Sequence, residues 1–167
     1  MELSLPAMAG RGASTVDAMI TGELKSKIDG VWNAFWSGGI SNPLEVIEQI
    51  TYLLFIRRLD DLQTLKEEKA RVTGTLEGPI FQPNQSHLRW SVFKNTSPEV
   101  MHQTVADEVF PFLRQLGADG STYSGHMKDS RFTVPTPALL SKVVDMVDAI
   151  VDLLRVVKTH AVPSEVA

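Results

Sequence analysis

The sequence predicts an all-α domain: a helical bundle of about four main helices with two long irregular connections. Three observations predict it. Four stretches carry apolar residues at steps of three and four. Gly, Pro, Asn and Ser punctuate their ends. No stretch alternates apolar and polar residues as a strand would, and Phe132, Thr133 and Val134 form the only short strand-like run. Helices with one apolar face and no sheet to cover must pack on one another.

Residues 1–14 are rich in Gly, Ala, Ser and Pro without periodicity and read as a mobile lead-in. From Thr21, the apolar positions Leu24, Ile28, Val31, Trp32, Phe35 and Trp36 mark one face of a first helix, with the three aromatic residues expected in the core. Gly38 and Gly39 stop it, because glycine takes the left-handed conformation at a helix end at little steric cost. Asn42 as cap, Pro43 at the first position and Glu45 as the far half of a capping box start a second helix. Leu44, Ile47, Ile50 and Leu54 form one apolar row along it, and Val46, Leu53 and Ile56 an adjacent one, which predicts a central helix. Beyond Arg57 the pattern turns polar, with Arg57 able to pair with Asp61 and with Lys66 beside Glu67 and Glu68. That half is expected to project into solvent up to Gly74.

Residues 73–98 carry Gly, Pro and Asn with no sustained period, an unusually long loop in which Leu88, Trp90 and Phe93 are expected to pin the chain to the core. Ser97 and Pro98 open a third helix through Val105, Val109, Phe112, Leu113 and Leu116 toward Gly117, with a kink or break at Pro111. A second irregular segment leads to Thr136 and Pro137, where the last helix begins. Its face of Leu140, Val143, Val144, Val147, Ile150, Val151, Leu154 and Val157 needs a partner. There is no internal repeat. One domain over residues 15–158 follows, with 159–167 as a mobile tail.

The composition supports a single folded domain: 167 residues, 43% hydrophobic and 22% charged. A formal charge of −4 and a pI near 5.5 argue against a self-sufficient nucleic-acid binder held by phosphate neutralisation. Cysteine is absent, which excludes disulfides, thiol catalysis and thiolate metal sites and fits a cytoplasmic setting. No secretory start is present and no apolar run approaches the roughly 20 residues that span a bilayer, so no membrane partner is expected.

Few residues could carry chemistry. Asp60 and Asp61 beside Arg57 and Arg58 suggest a metal or acid-base cluster, but neighbouring helical residues point about 100° apart, so intrahelical ion pairs on a solvated or interface face fit better. The four histidines are scattered and form no paired ligand motif. The glycine-rich residues 117–125 follow a helix and lack both the dinucleotide fingerprint and the Walker lysine, so an ordinary loop fits better than a phosphate cradle. No catalytic, cofactor-binding or metal residue is assigned. Arg89, Lys94, Lys128 and Arg131 lie in the two irregular segments and suit phosphate contacts if both loops converge on one face; otherwise they are solvated surface charge. Arg57, Arg58 and Asp61 complete the candidate contacts to DNA or to another subunit.

The stretch WNAFWSGGISNPLEVIEQITYLLFIRRLDD resembles the N-terminal helical domain of the DNA methyltransferase (M) subunit of type I restriction-modification systems. RWSVFKN and HMKDSRFTVPTPALLSKVVDMVDAI follow in the family's order, so the resemblance covers about residues 18–150. It implies a subunit that transfers a methyl group from S-adenosylmethionine to the exocyclic amine of adenine, beside a second methyltransferase subunit, a DNA-specificity subunit and restriction subunits. In such a complex the N-terminal domain helps close the assembly around DNA and is not the catalytic part. The Asp-Pro-x-x-Gly-x-Gly cofactor loop and the Asn-Pro-Pro-aromatic motif that the catalytic part requires do not occur in these 167 residues. Activity from this chain alone, and a cofactor of its own, are therefore not expected. An autonomous helical interaction module, using the apolar face of residues 139–157, is the competing expectation.

Overall fold

The computed structural model describes residues 11–119 and 125–161; the lead-in up to residue 10, residues 120–124 of the second connection and the tail from 162 lie outside them. The elements in chain order are α1 (Arg11–Ser37), α2 (Pro43–Thr73), a 3-10 turn (Pro83–Leu88), α3 (Trp90–Phe93), α4 (Pro98–Thr104), a π-helical turn (Val105–Val109), α5 (Phe110–Ala118) and α6 (Pro137–Ala161). No strand occurs among the described residues.

α1 starts at Arg11, well ahead of Thr21 and inside the segment expected to be a lead-in. Helix propagation adds one hydrogen bond per residue fixed and needs no burial, and no proline interrupts the chain between Pro6 and Pro43. Its end is a Schellman motif. Gly39 takes a φ of 97°, the Ile40 N–H reaches the Phe35 carbonyl at 3.0 Å, and the Gly39 N–H reaches Trp36 at 3.2 Å. Phe35 and Ile40, the hydrophobic pair of that motif, are both buried. Trp36 is not core, as the spacing predicted, but 61% exposed; Trp32 is half-buried.

α2 begins at the Asn42 cap as read, with its carboxamide accepting the Leu44 N–H at 3.0 Å and Pro43 in the first turn, but no return bond to Glu45 completes the expected capping box among the described residues. It ends at Gly74 in the left-handed region. Gly38 abuts Leu139 and Gly30 abuts Met146, so α1 and α6 run antiparallel. Arg57 meets Asp148 and Asp61 meets Arg155, so α2 runs parallel to α6. The core between them holds Phe35, Leu53, Ile56, Leu140, Val143 and Val144.

The two apolar rows of α2 have different surroundings. Val46, Leu53 and Ile56 are buried, whereas Leu44, Ile47 and Leu54 remain exposed. Nor does the far half of the helix simply project into solvent: Leu59, Asp60 and Gln63 are buried because the connection after Gly74 folds back over them. Leu88, Trp90 and Phe93 pin that connection to the core as expected, with Trp90 and Phe93 each 1% exposed.

Pro111 breaks the third helix in a specific way. Having no N–H, it sits at the start of α5, where none is required, and the chain reaches it through one wide turn in which the Phe110 N–H bonds the Val105 carbonyl. Two buried glutamines on α2 hold the irregular connections. Gln49 donates to the Arg131 carbonyl at 2.8 Å and accepts the Thr133 N–H at 3.1 Å; Gln63 accepts from Ile80 at 2.7 Å and Phe81 at 3.3 Å. The strand-like run 132–134 thus finds a side chain where a strand would find a neighbour. α5 closes against the second connection at Gly117, where an added Cβ would lie 2.4 Å from the Lys128 backbone nitrogen.

Candidate functional site

The charged residues gather where α2, α6 and the segment around α3 meet. Two carboxylates organise them. On α2, Asp60 accepts from the Arg89 guanidinium at 2.6 Å and from the Ser91 N–H at 2.8 Å. On α6, Asp148 accepts from Arg57, from the Trp90 indole N–H at 2.7 Å and from the Lys94 ammonium at 3.1 Å. The short α3 segment is therefore tied to α2 through Arg89 and Ser91 and to α6 through Trp90 and Lys94.

Asp60 is 4% exposed. Burial pushes its carboxyl up, but the bonds from Ser91 and the Arg89 charge outweigh that and hold it below the usual carboxylate range. Arg89 is governed by the same balance in reverse: burial lowers it, and Asp60 and Glu67 together raise it. Its guanidinium also bonds Glu67 and, at 3.0 Å, the Thr64 hydroxyl.

Asp60 and Asp61 do face different partners, as the helical geometry requires. Asp61 pairs with Arg57 at 3.6 Å and with Arg155 of α6 at 2.8 Å. Only the first of these lies within one helix. Arg57 is 9% exposed and reaches Asp148 and Asp152 as well, so its pairs chiefly join helices and do not decorate a solvated face. Arg58, one residue on, is exposed and makes no ion pair among the described residues.

The four loop cations do not form one set. Arg89 and Lys94 are consumed by Asp60, Glu67 and Asp148, whereas Lys128 and Arg131 are exposed. Arg131 lies beside Gln49 and Arg89 beside Asp60, positions about 16 Å apart along α2 at 1.5 Å per residue. The two connections meet different stretches of one helix.

Between α2 and the far half of α6 runs an open groove of about 650 Å³, with Arg57, Arg58, Asp61, Leu65, Arg155 and Lys158 in its walls. It adjoins an apolar cavity of about 310 Å³ closed by Ile28 and Val31 of α1, Ile50 and Leu54 of α2, and Val147 and Ile150 of α6. Sequence reading missed Asp148, Arg155 and Lys158. Asp148 follows Val144 by four residues on the edge of an apolar face, and that interruption was the available signal. No group of three or more His, Asp or Glu placed to hold a metal ion occurs among the described residues. His87 meets Glu108 at 3.0 Å and His102 the Val134 carbonyl at 2.8 Å.

Neither the curated proteins nor the solved structures give a match to this chain. The family model described as the HsdM N-terminal domain matches residues 24–147. The matched span opens at Leu24 in α1 and closes at Val147, the last buried core residue of α6, so it takes in both organising glutamines and Asp60 with its partners. The chain belongs to the HsdM N-terminal domain family, the N-terminal domain of the methyltransferase M subunits of type I restriction-modification systems.

Proposed function

We propose that this domain is a non-catalytic clamp and assembly element of a type I adenine-N6 DNA methyltransferase subunit. It contributes to DNA binding and to subunit contacts, in the cytoplasm, beside a DNA-specificity subunit, a second methyltransferase subunit and restriction subunits. S-adenosylmethionine belongs to the catalytic part of such subunits and not to this domain. The observation that carries the reading is the open face of α2 and α6, where exposed apolar side chains lie beside Arg58 and Lys158, two cations without an ion pair among the described residues. Mixed apolar and charged surface on a small domain is the composition of a contact face. Lys128 and Arg131, exposed in the second connection, are the better phosphate candidates, since Arg89 and Lys94 are already paired. No helix among the described residues is long and apolar enough to cross a membrane.

Co-expression with a full-length methyltransferase subunit and its specificity subunit tests the reading. The chain is expected to co-purify with them and, alone, to leave adenine-containing DNA unmethylated. Methylation by the purified chain would contradict the non-catalytic role. The competing module that docks a helix on residues 139–157 has less surface to use, because Leu139, Leu140, Val143, Val144 and Val147 are all in the core.

A further inference from the structure

The two organising glutamines of α2 are used unequally. Gln49 employs both ends of its carboxamide, Nε2 toward the Arg131 carbonyl and Oε1 toward the Thr133 N–H. Gln63 is 4% exposed, and its Oε1 accepts both the Ile80 and the Phe81 N–H, which fixes the way its amide points. Its Nε2, a donor, has no hydrogen bond among the described residues. A donor withdrawn from water and left unmet is costly, and the carbonyl oxygen of a ligand would meet it. Gln63 stands in the wall of a cavity of about 350 Å³ between α2 and the connection that folds back over it. Leu76, Pro79 and Phe81 supply the apolar part of that wall, Glu67 and Arg89 the charged part. Phe81 is held by stacking on Phe112, with ring centroids 5.0 Å apart. The volume lies within the range of small-ligand sites, roughly 300 to 1,000 Å³.

We propose that this cavity binds a small, neutral aromatic amide. The Gln63 Nε2 donates to the carbonyl oxygen of the ligand, and the Glu67 carboxylate accepts from its N–H. Gln63 and Glu67 are four residues apart on one helix, so their side chains are neighbours on the same face, with Cβ atoms about 6 Å apart. A donor and an acceptor thus stand side by side, as the two halves of an amide require. The ring of the ligand lies against Leu76, Pro79 and Phe81. Charge selects the same class. Arg89 spends its three nitrogens on Asp60, Glu67 and Thr64, and one arginine against two carboxylates leaves an excess of negative charge at the site. A carboxylate ligand of the same shape brings no N–H and is repelled by Glu67. The cavity shares no residue with the groove between α2 and α6, so the inference does not depend on the clamp reading.

Benzamide and benzoate are the probes, alike in shape and different in charge and in the N–H donor. In a titration followed by amide resonances, benzamide is expected to move the Gln63 side-chain signals and the Ile80 and Phe81 backbone signals. Its Kd should be at least about tenfold lower than that of benzoate, a difference of roughly 1.4 kcal/mol. Gln63→Glu keeps an oxygen for the two backbone N–H groups and removes the donor, and should weaken benzamide at least about tenfold. Leu76→Trp, at a position 42% exposed, fills the cavity from its rim and should abolish binding without altering either hydrogen-bonding group. Circular dichroism melting shows whether each variant is folded, and the rim variant carries the test if Gln63→Glu does not fold. Benzoate binding as tightly as benzamide, or undiminished binding in folded Gln63→Glu, overturns the assignment of the amide. Resonances of residues 63, 80 and 81 that stay still up to the solubility limit of benzamide, or undiminished binding in folded Leu76→Trp, overturn the site.

Discussion

Two rows of side chains run along α2 on different sides of the helix, and both mix apolar with polar residues. The inner row is Val46, Gln49, Leu53, Ile56, Asp60 and Gln63, all buried. The outer row, from Leu44 to Val72, is largely exposed. Composition does not separate them, because each carries aliphatic residues and at least one carboxylate. What separates them is whether the rest of the chain supplies partners. Each polar residue of the inner row is met by a distant segment: Gln49 by residues 131 and 133, Asp60 by Arg89 and Ser91, and Gln63 by residues 80 and 81. On the outer row, Arg58 has no ion pair among the described residues, and Leu65 and Val72 are exposed. A buried polar group with no partner costs more than its hydrogen bond is worth, so an inner row of this kind commits the fold to one arrangement of its connections. The outer row holds the fold less: among the described residues only Asp61 of its charged side chains is tied to another helix, by Arg155.

Breaking the inner row should give the largest effect. Asp60→Ala leaves the Ser91 N–H unpaired and the Arg89 guanidinium with only Glu67 and Thr64, and is expected to lower unfolding stability by about 3 kcal/mol in urea denaturation. Gln49→Ala and Gln63→Ala each leave backbone groups of a connection unpaired and should cost about 2 kcal/mol, with amide exchange rising in residues 131–133 or 80–81 respectively. Acid should act through the same row. The folded Asp60 carboxyl lies below its ordinary value of 3.8, so its contribution is fully present above that value and is lost as pH falls through and below it. Comparing acid unfolding of the natural chain with Asp60→Asn checks this: the variant should show a shallower loss over that range. The smallest effect belongs to the outer row, where Val72→Ser should change stability by less than about 0.5 kcal/mol in the monomer.

Features set by neighbours in the chain were legible in the sequence. Asn42, Pro43 and Gly74 bound α2, and Ser97 and Pro98 start α4, because capping is a matter of a few adjacent atoms. Pro111 announced a break, since its missing N–H is a local fact, although the π-helical form of that break was not foreseen. Pairings across long separations were not legible. Arg57 and Asp148 are 91 residues apart and Trp90 and Asp148 are 58, so their meeting depends on how helices pack and not on any period within one of them. Arg89 and Lys94 looked like solvated cations for the same reason: nothing near them in sequence shows the carboxylates that neutralise them. The two rows of α2 were both seen, but which of them would be buried was decided by α6 and the long connection, and a single helix cannot reveal that.

The division between the rows is tested most directly by one outer-row variant read in two ways. Leu65→Glu should melt within about 2 °C of the natural chain when both are dilute, because a half-exposed position contributes little to a monomer. The same variant should co-purify with the full-length methyltransferase and specificity subunits at least about tenfold less well, a loss of roughly 1.4 kcal/mol of association. A lowered melting temperature with undiminished co-purification would contradict the account, since it would make the outer row part of the fold and not the face through which the domain is joined to others.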